Sequence, residues 1–112
     1  MKQTRKPFNL PMMLTNLVVR DGKHIAHSLD FDIVCVADSD QAAWDKLCLA
    51  IKTYVEFGLS KGWQDFIMFS APQECWDRIT PDTPLQLRPP ITIAGEARKV
   101  VEAKFYEACS AA

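Results

Sequence analysis

From His24 to Gly62 the chain reads HIAHSLDFDIVCVADSDQAAWDKLCLAIKTYVEFGLSKG: two short strand-like runs lead through an acidic turn into one long amphipathic helix. No other stretch narrows the possible folds as much. Lys23 to Leu29 reads as a strand antiparallel to the one before it, and Ile33 to Ala37 is apolar on both faces, which predicts a strand that is central or covered by helix. Asp30-Phe31-Asp32 forms the turn between them. Asp38 is then placed to accept from the first helical amides, with Gln41 three residues on to reach back. On a 3.6-residue wheel Trp44, Leu47, Cys48, Ile51, Tyr54, Val55 and Gly58 gather on one face, and Asp45, Lys46, Lys52, Thr53 and Glu56 on the other. The helix is therefore expected to dock one face on the sheet and to end at Gly62, a residue suited to a left-handed cap.

The flanks attach to this unit. MMLTNLVVR, following Pro11, alternates partially, with Thr15, Leu17 and Val19 on one side and Asn16, Val18 and Arg20 on the other. Asp21-Gly22 suits a tight hairpin into the next strand. The predicted core is thus a three-stranded antiparallel meander packed on one long helix, β-β-β-α, of the α+β class. WQDFIMF, from Trp63, is expected to cross the edge of the core. A short helix follows from Ser70-Ala71-Pro72 to about Ile79, because proline is tolerated in a first turn. Beyond the linker-like Thr80 to Pro84, the tail is rich in helix formers from Lys99 to Glu107. It also alternates there, with Val101, Ala103 and Phe105 opposite Glu102, Lys104 and Tyr106, and the reading favours one or two strands. If Lys99 to Phe105 is a strand with an unpaired edge, a second copy can complete it, and Val101, Phe105 and Tyr106 are the expected partner-binding side chains.

At 112 residues the chain fits one domain, with a core over 12–79 and a C-terminal extension over 80–112. An apolar fraction of 48% with 24% charged residues is that of a globular protein. Thirteen basic against fourteen acidic side chains argue against a surface built to grip phosphates. The basic residues Lys2, Arg5 and Lys6 form an arm too lightly charged for more than weak phosphate contact, and the tail from Leu85 carries four basic and three acidic residues. MKQTRKPFNL lacks the apolar run of a signal peptide, and no stretch approaches the roughly 20 apolar residues that span a bilayer. Cys35, Cys48, Cys75 and Cys109 are isolated, without the spacing of a zinc site, and Cys35 and Cys48 fall in apolar surroundings. The expected compartment is the reducing cytoplasm.

Candidate chemistry is sparse. His24 and His27 are the only histidines, and their odd spacing on a strand sends them to opposite faces, away from a common metal. Asp30, Asp32, Asp38 and Asp40 are the densest acidic set. Clustered carboxylates can bind magnesium for phosphoryl chemistry, but each of these has a structural task in a turn, a cap or the first helical turn. A cysteine nucleophile needs a nearby base, and Cys35 is the one thiol within plausible reach of the histidines, with flanks that favour burial. No phosphate-cradling glycine loop, serine elbow or nucleotide fingerprint is present. No catalytic residue, cofactor or metal ligand is assigned.

The order strand, Asp-Gly turn, strand, strand, helix, with the wording HIAHSLDFDIVCVADSDQAAWDKLCLAI, resembles the HicB-type antitoxin family. Ser28 stands where that family's pattern has cysteine, Ala37 where it has glycine and Ser39 where it has threonine. SAPQECW is similar to the AP-x-x-x-W segment of a solitary HicB-like subgroup, and the resemblance covers about residues 12 to 79. It implies a partial ribonuclease H-like core without that enzyme's active-site acids, and a protein that binds and blocks a small messenger-RNA-cleaving toxin. Many members add a C-terminal helix-turn-helix or ribbon-helix-helix domain that binds an operator and dimerises. This chain departs there, because the thirty-three residues after Ile79 lack two helix signals joined by a tight turn. The expected function is that of a non-enzymatic HicB-like interaction module whose partners are a second copy and a small toxin-like protein, with neither nucleic acid nor membrane. The alternatives are a small metal-dependent phosphoryl-transfer enzyme using the Asp30/Asp32 region, and an operator-binding dimer.

Overall fold

The computed structural model describes residues 13–63, 67–93 and 99–107, with the backbone alone for 99–101. Strands β1 (Met13–Arg20), β2 (His24–Ser28) and β3 (Ile33–Ala37) precede helix α1 (Asp40–Ser60). The short helix α2 (Gln73–Trp76) and strands β4 (Leu85–Ile93) and β5 (Lys99–Glu107) follow.

β1, β2 and β3 pair antiparallel in sequence order, as expected. Gly22 turns the first hairpin with φ of 68°, a conformation open to a residue without a Cβ. At the second turn Asp32 is left-handed at 54°, and the Asp30 carboxylate accepts the Thr15 amide at 2.7 Å, which stitches the turn back to β1. The Leu29 amide adds a bond to the Thr15 carbonyl at 3.0 Å.

The sheet does not stop at three strands. Its order is β3-β2-β1-β5-β4, with β5 parallel to β1 and β4 antiparallel to β5. The three-stranded meander is thereby corrected to a five-stranded mixed sheet carrying one long helix. The physical reason lies in β1, whose run Leu17-Val18 is buried on both faces, as a strand inside a sheet must be. Leu14 and Val18 face α1, while Leu17 faces the other side.

A further expectation falls with it. β5 has no unpaired edge, since β1 and β4 flank it, and Phe105 is fully buried with its ring edge-on to Trp44 at 5.1 Å. Tyr106 is half-buried against the Leu17 cluster, and the backbone of Val101 pairs with Ile91, its side chain lying outside the described residues. Phe105 is therefore a core residue and is closed to a partner. β3 takes the second of its two expected settings, covered by helix and at the edge of the sheet: α1 covers Ile33, Cys35 and Ala37 on one face, and Val34 and Val36 are exposed on the other.

α1 buries Trp44, Leu47, Ile51, Val55 and Gly58 as the wheel predicts, and Ala43 with them; Cys48 on the same arc is half-buried and Tyr54 is exposed. Its N-cap is Ser39, whose Oγ accepts the Ala42 amide at 3.0 Å, and not Asp38. Asp38 stands one residue too early; its carboxylate is 98% exposed, 3.6 Å from Lys23. Gln41 donates forward to Asp45 at 2.8 Å instead of back to the cap. Gly62, at φ of 73°, closes the C-terminal end with its amide 3.1 Å from the Leu59 carbonyl. Within the run expected to cross the core edge, Ile67 is buried against Gly58, Met68 and Phe69 are exposed, and residues 64–66 lie outside the description.

The face of the sheet opposite α1 is partly covered by the chain around α2, which is shorter than expected. Ala71 joins Leu17 and Leu29 in a second cluster, flanked by Cys75, Trp76 and Ile79. The Ala71 amide donates to the Leu29 carbonyl at 2.8 Å.

Candidate interaction surfaces

The titratable side chains singled out in the sequence are spent on holding the fold. Asp40, in the first turn of α1, accepts from the Arg20 guanidinium and from His24 Nδ1 at 2.5 Å. Arg20, with His24 beside it, holds the Asp40 carboxyl below the usual carboxylate range. Arg20 also reaches Glu107 at 3.1 Å, so one guanidinium ties β1 to α1 and β5. His27, on the opposite face of β2, bonds Asp32 at 2.7 Å. Burial pushes the Asp30 carboxyl up, against the lowering effect of the Thr15 amide. The two histidines are not brought together, and among the described residues no three His, Cys, Asp or Glu side chains converge to hold a metal ion.

The thiols are similarly placed. Cys35 packs against the core under α1, its cross-strand neighbour is Ala26, and burial pushes its pKa up. Cys48 is pushed up to about 12, first by burial and then by Asp45. Both are thiols at neutral pH, without the electropositive setting that makes a nucleophile. Lys2, Arg5, Lys6 and Cys109 lie outside the described residues. Arg88, from the tail, stacks over the Phe105 ring at 5.0 Å and donates to Gln41 at 3.2 Å. No helix among the described residues is long and apolar enough to cross a membrane.

What the fold leaves available is apolar. Phe57, 53% exposed, and Trp63, 49% exposed, meet edge-on at 5.6 Å beyond the last turns of α1, with the Lys61 ammonium 5.5 Å above the Phe57 ring. Val34 and Val36, 53% and 43% exposed, form a second patch on the free edge of the sheet. A third surface, a cleft of about 420 Å³ between α1 and β4, is lined by Trp44, Cys48, Leu49, Pro89 and Pro90 among others. Sequence reasoning named none of the three. The legible signal for Phe57 was its place off the apolar arc of the helix, and for Trp63 its place directly after the capping glycine.

Comparison with protein-family models, with curated proteins and with solved structures finds no match.

Proposed function

We propose that this chain is a non-enzymatic HicB-like interaction module, antitoxin-like in action, that binds a small toxin-like protein in the cytoplasm. The observation that carries the reading is the Phe57–Trp63 pair, two large rings in mutual contact and half in water. Exposed aromatic side chains already ordered by a neighbour bury much area at low entropic cost, and such residues dominate binding energies at protein interfaces. The β-β-β-α order of the first half supports the resemblance. Phosphoryl transfer at Asp30 and Asp32 has less behind it, because one carboxylate accepts a strand amide and the other is held by His27.

The test is co-elution of the purified chain with the product of an adjacent reading frame that encodes a small basic protein. A complex is expected. The double variant Phe57→Ala/Trp63→Ala, which removes surface side chains only, should weaken it by about a hundredfold. A native pair that does not co-elute sinks the proposal.

A further inference from the structure

The two edges of the sheet differ in kind. On β4 the ladder shifts register between Arg88 and Ile91, around Pro89 and Pro90, and Lys52 donates from α1 to the Thr92 carbonyl at 3.0 Å. Prolines without donors and a break in register close an edge to further strands. Between Ile33 and Ala37 on β3 there is no proline and no charged residue.

The phase of β3 follows from its neighbours. The Leu29 amide bonds the Thr15 carbonyl, which puts the odd-numbered residues of β2 in the hydrogen-bonded pairs with β1 and leaves Ala26 to exchange bonds with Cys35. Val34 and Val36 consequently turn their amides and carbonyls outward. Lys46 Nζ, 3.1 Å from the Val36 carbonyl, meets one of these groups from α1.

We propose that β3 pairs antiparallel with β3 of a second copy of this chain about a two-fold axis through Cys35, joining the two sheets edge to edge. Self-association is the expectation drawn from the sequence; the edge named for it there, on β5, is closed by β1 and β4, and β3 is the edge left open. In this register Val34 of one copy exchanges both backbone bonds with Val36 of the other, and the symmetry repeats the exchange. The exposed valines meet on the face away from α1, with His27 of each copy across from Val34 on the next strand. Cys35 faces Cys35 as a non-hydrogen-bonded pair, in which strands approach most closely. Asp38 comes opposite Asp32 of the other copy, a like-charge pair that opposes the register in part; Lys23 lies 3.6 Å from Asp38, and His27 bonds Asp32. Lys46, displaced from the Val36 carbonyl, adds a positive charge two residues from the same Asp32. An isologous contact of this kind closes on itself and does not propagate, because β4 is blocked. Five residues make a small interface, so the association is of the weak class whose affinity rests on main-chain bonds.

Sedimentation of the full chain from micromolar to hundreds of micromolar should show a monomer–dimer equilibrium. Val34→Lys and Val36→Lys change exposed side chains; each should raise the dimer dissociation constant about tenfold or more while far-ultraviolet circular dichroism stays unchanged. Leu87→Lys, on the blocked edge, should leave it alone. In a variant whose one remaining cysteine is Cys35, mild oxidation should yield a disulfide-linked dimer. A wild-type chain that stays monomeric throughout, a dimer indifferent to both lysine variants, or a Cys35-only chain that does not cross-link overturns the proposal. Toxin-like partner binding through Phe57 and Trp63 should survive Val36→Lys, so the two readings fail separately.

Discussion

At the scale of single residues, Asp40 has the most to lose. Its carboxylate accepts from the Arg20 guanidinium on β1 and from His24 on β2, and its pKa is lowered in the folded chain, so the ionised form is favoured by folding. The associated stability is present above the unfolded carboxylate value and is lost as pH falls through the lower folded one. Asp40→Asn should therefore cost about 1 kcal/mol at pH 7, as a half-exposed pair does, and the difference from the native chain should shrink toward zero in strong acid. Urea unfolding of both proteins at neutral and acid pH measures this. Gly58 makes a second case with a sign that depends on its neighbour. A Cβ there would lie 2.8 Å from Ile67 Cγ1 and 2.9 Å from Cδ1. Alanine favours a helix over glycine by about 1 kcal/mol, but displacing a buried isoleucine costs about 1–3 kcal/mol. Gly58→Ala should thus destabilise the native chain and stabilise the Ile67→Ala variant, which a double-mutant cycle of unfolding free energies decides.

At the scale of elements, legibility followed how locally each signal was encoded. α1 was readable because its arc of Trp44, Leu47, Ile51 and Val55 repeats over several turns and Gly62 closes it; its cap was misplaced by one residue because Asp38 and Ser39 both carry capping oxygens. The first hairpin was readable from Asp21-Gly22. β3 was left between a central strand and one covered by helix, because apolar residues on both faces suit either setting, and its place at the sheet edge was not encoded locally. β5 alternates in the same way wherever it sits, so nothing local distinguishes an open edge from a place between β1 and β4. The acidic set and the histidines were assigned structural tasks, and the structure gives Asp30, Asp32 and Asp40 such tasks with definite partners. Of the interaction surfaces, Phe57 left a trace in its place off the apolar arc, whereas the exposure of Val34 and Val36 was not legible, because it is a property of what fails to cover them.

At the scale of the whole molecule, one core unites segments far apart in the chain. Phe105 fills the space against Trp44, and Ile91, Ile93 and Ala103 join Leu14 and Val18 beneath α1. The region beyond Ile79 is therefore structural to the same unit. Phe105→Ala should cost about 3–5 kcal/mol, as aromatic truncation in a closed core does, and a shift of the urea midpoint without loss of cooperativity would verify it.

The parallel pairing of β1 with β5 also sets an order of events during synthesis. Leu14 and Ala103 lie side by side in the sheet, while everything from β1 through α1 emerges earlier. At about 5–20 residues per second the ribosome leaves an interval of a few seconds between the end of α1 and the arrival of β5. During it the nascent chain exposes both flanks of its first three strands and an unfilled hollow beside Trp44. Late delivery of the strand that belongs near the middle makes this protein most vulnerable to wrong pairing before its own sheet is complete.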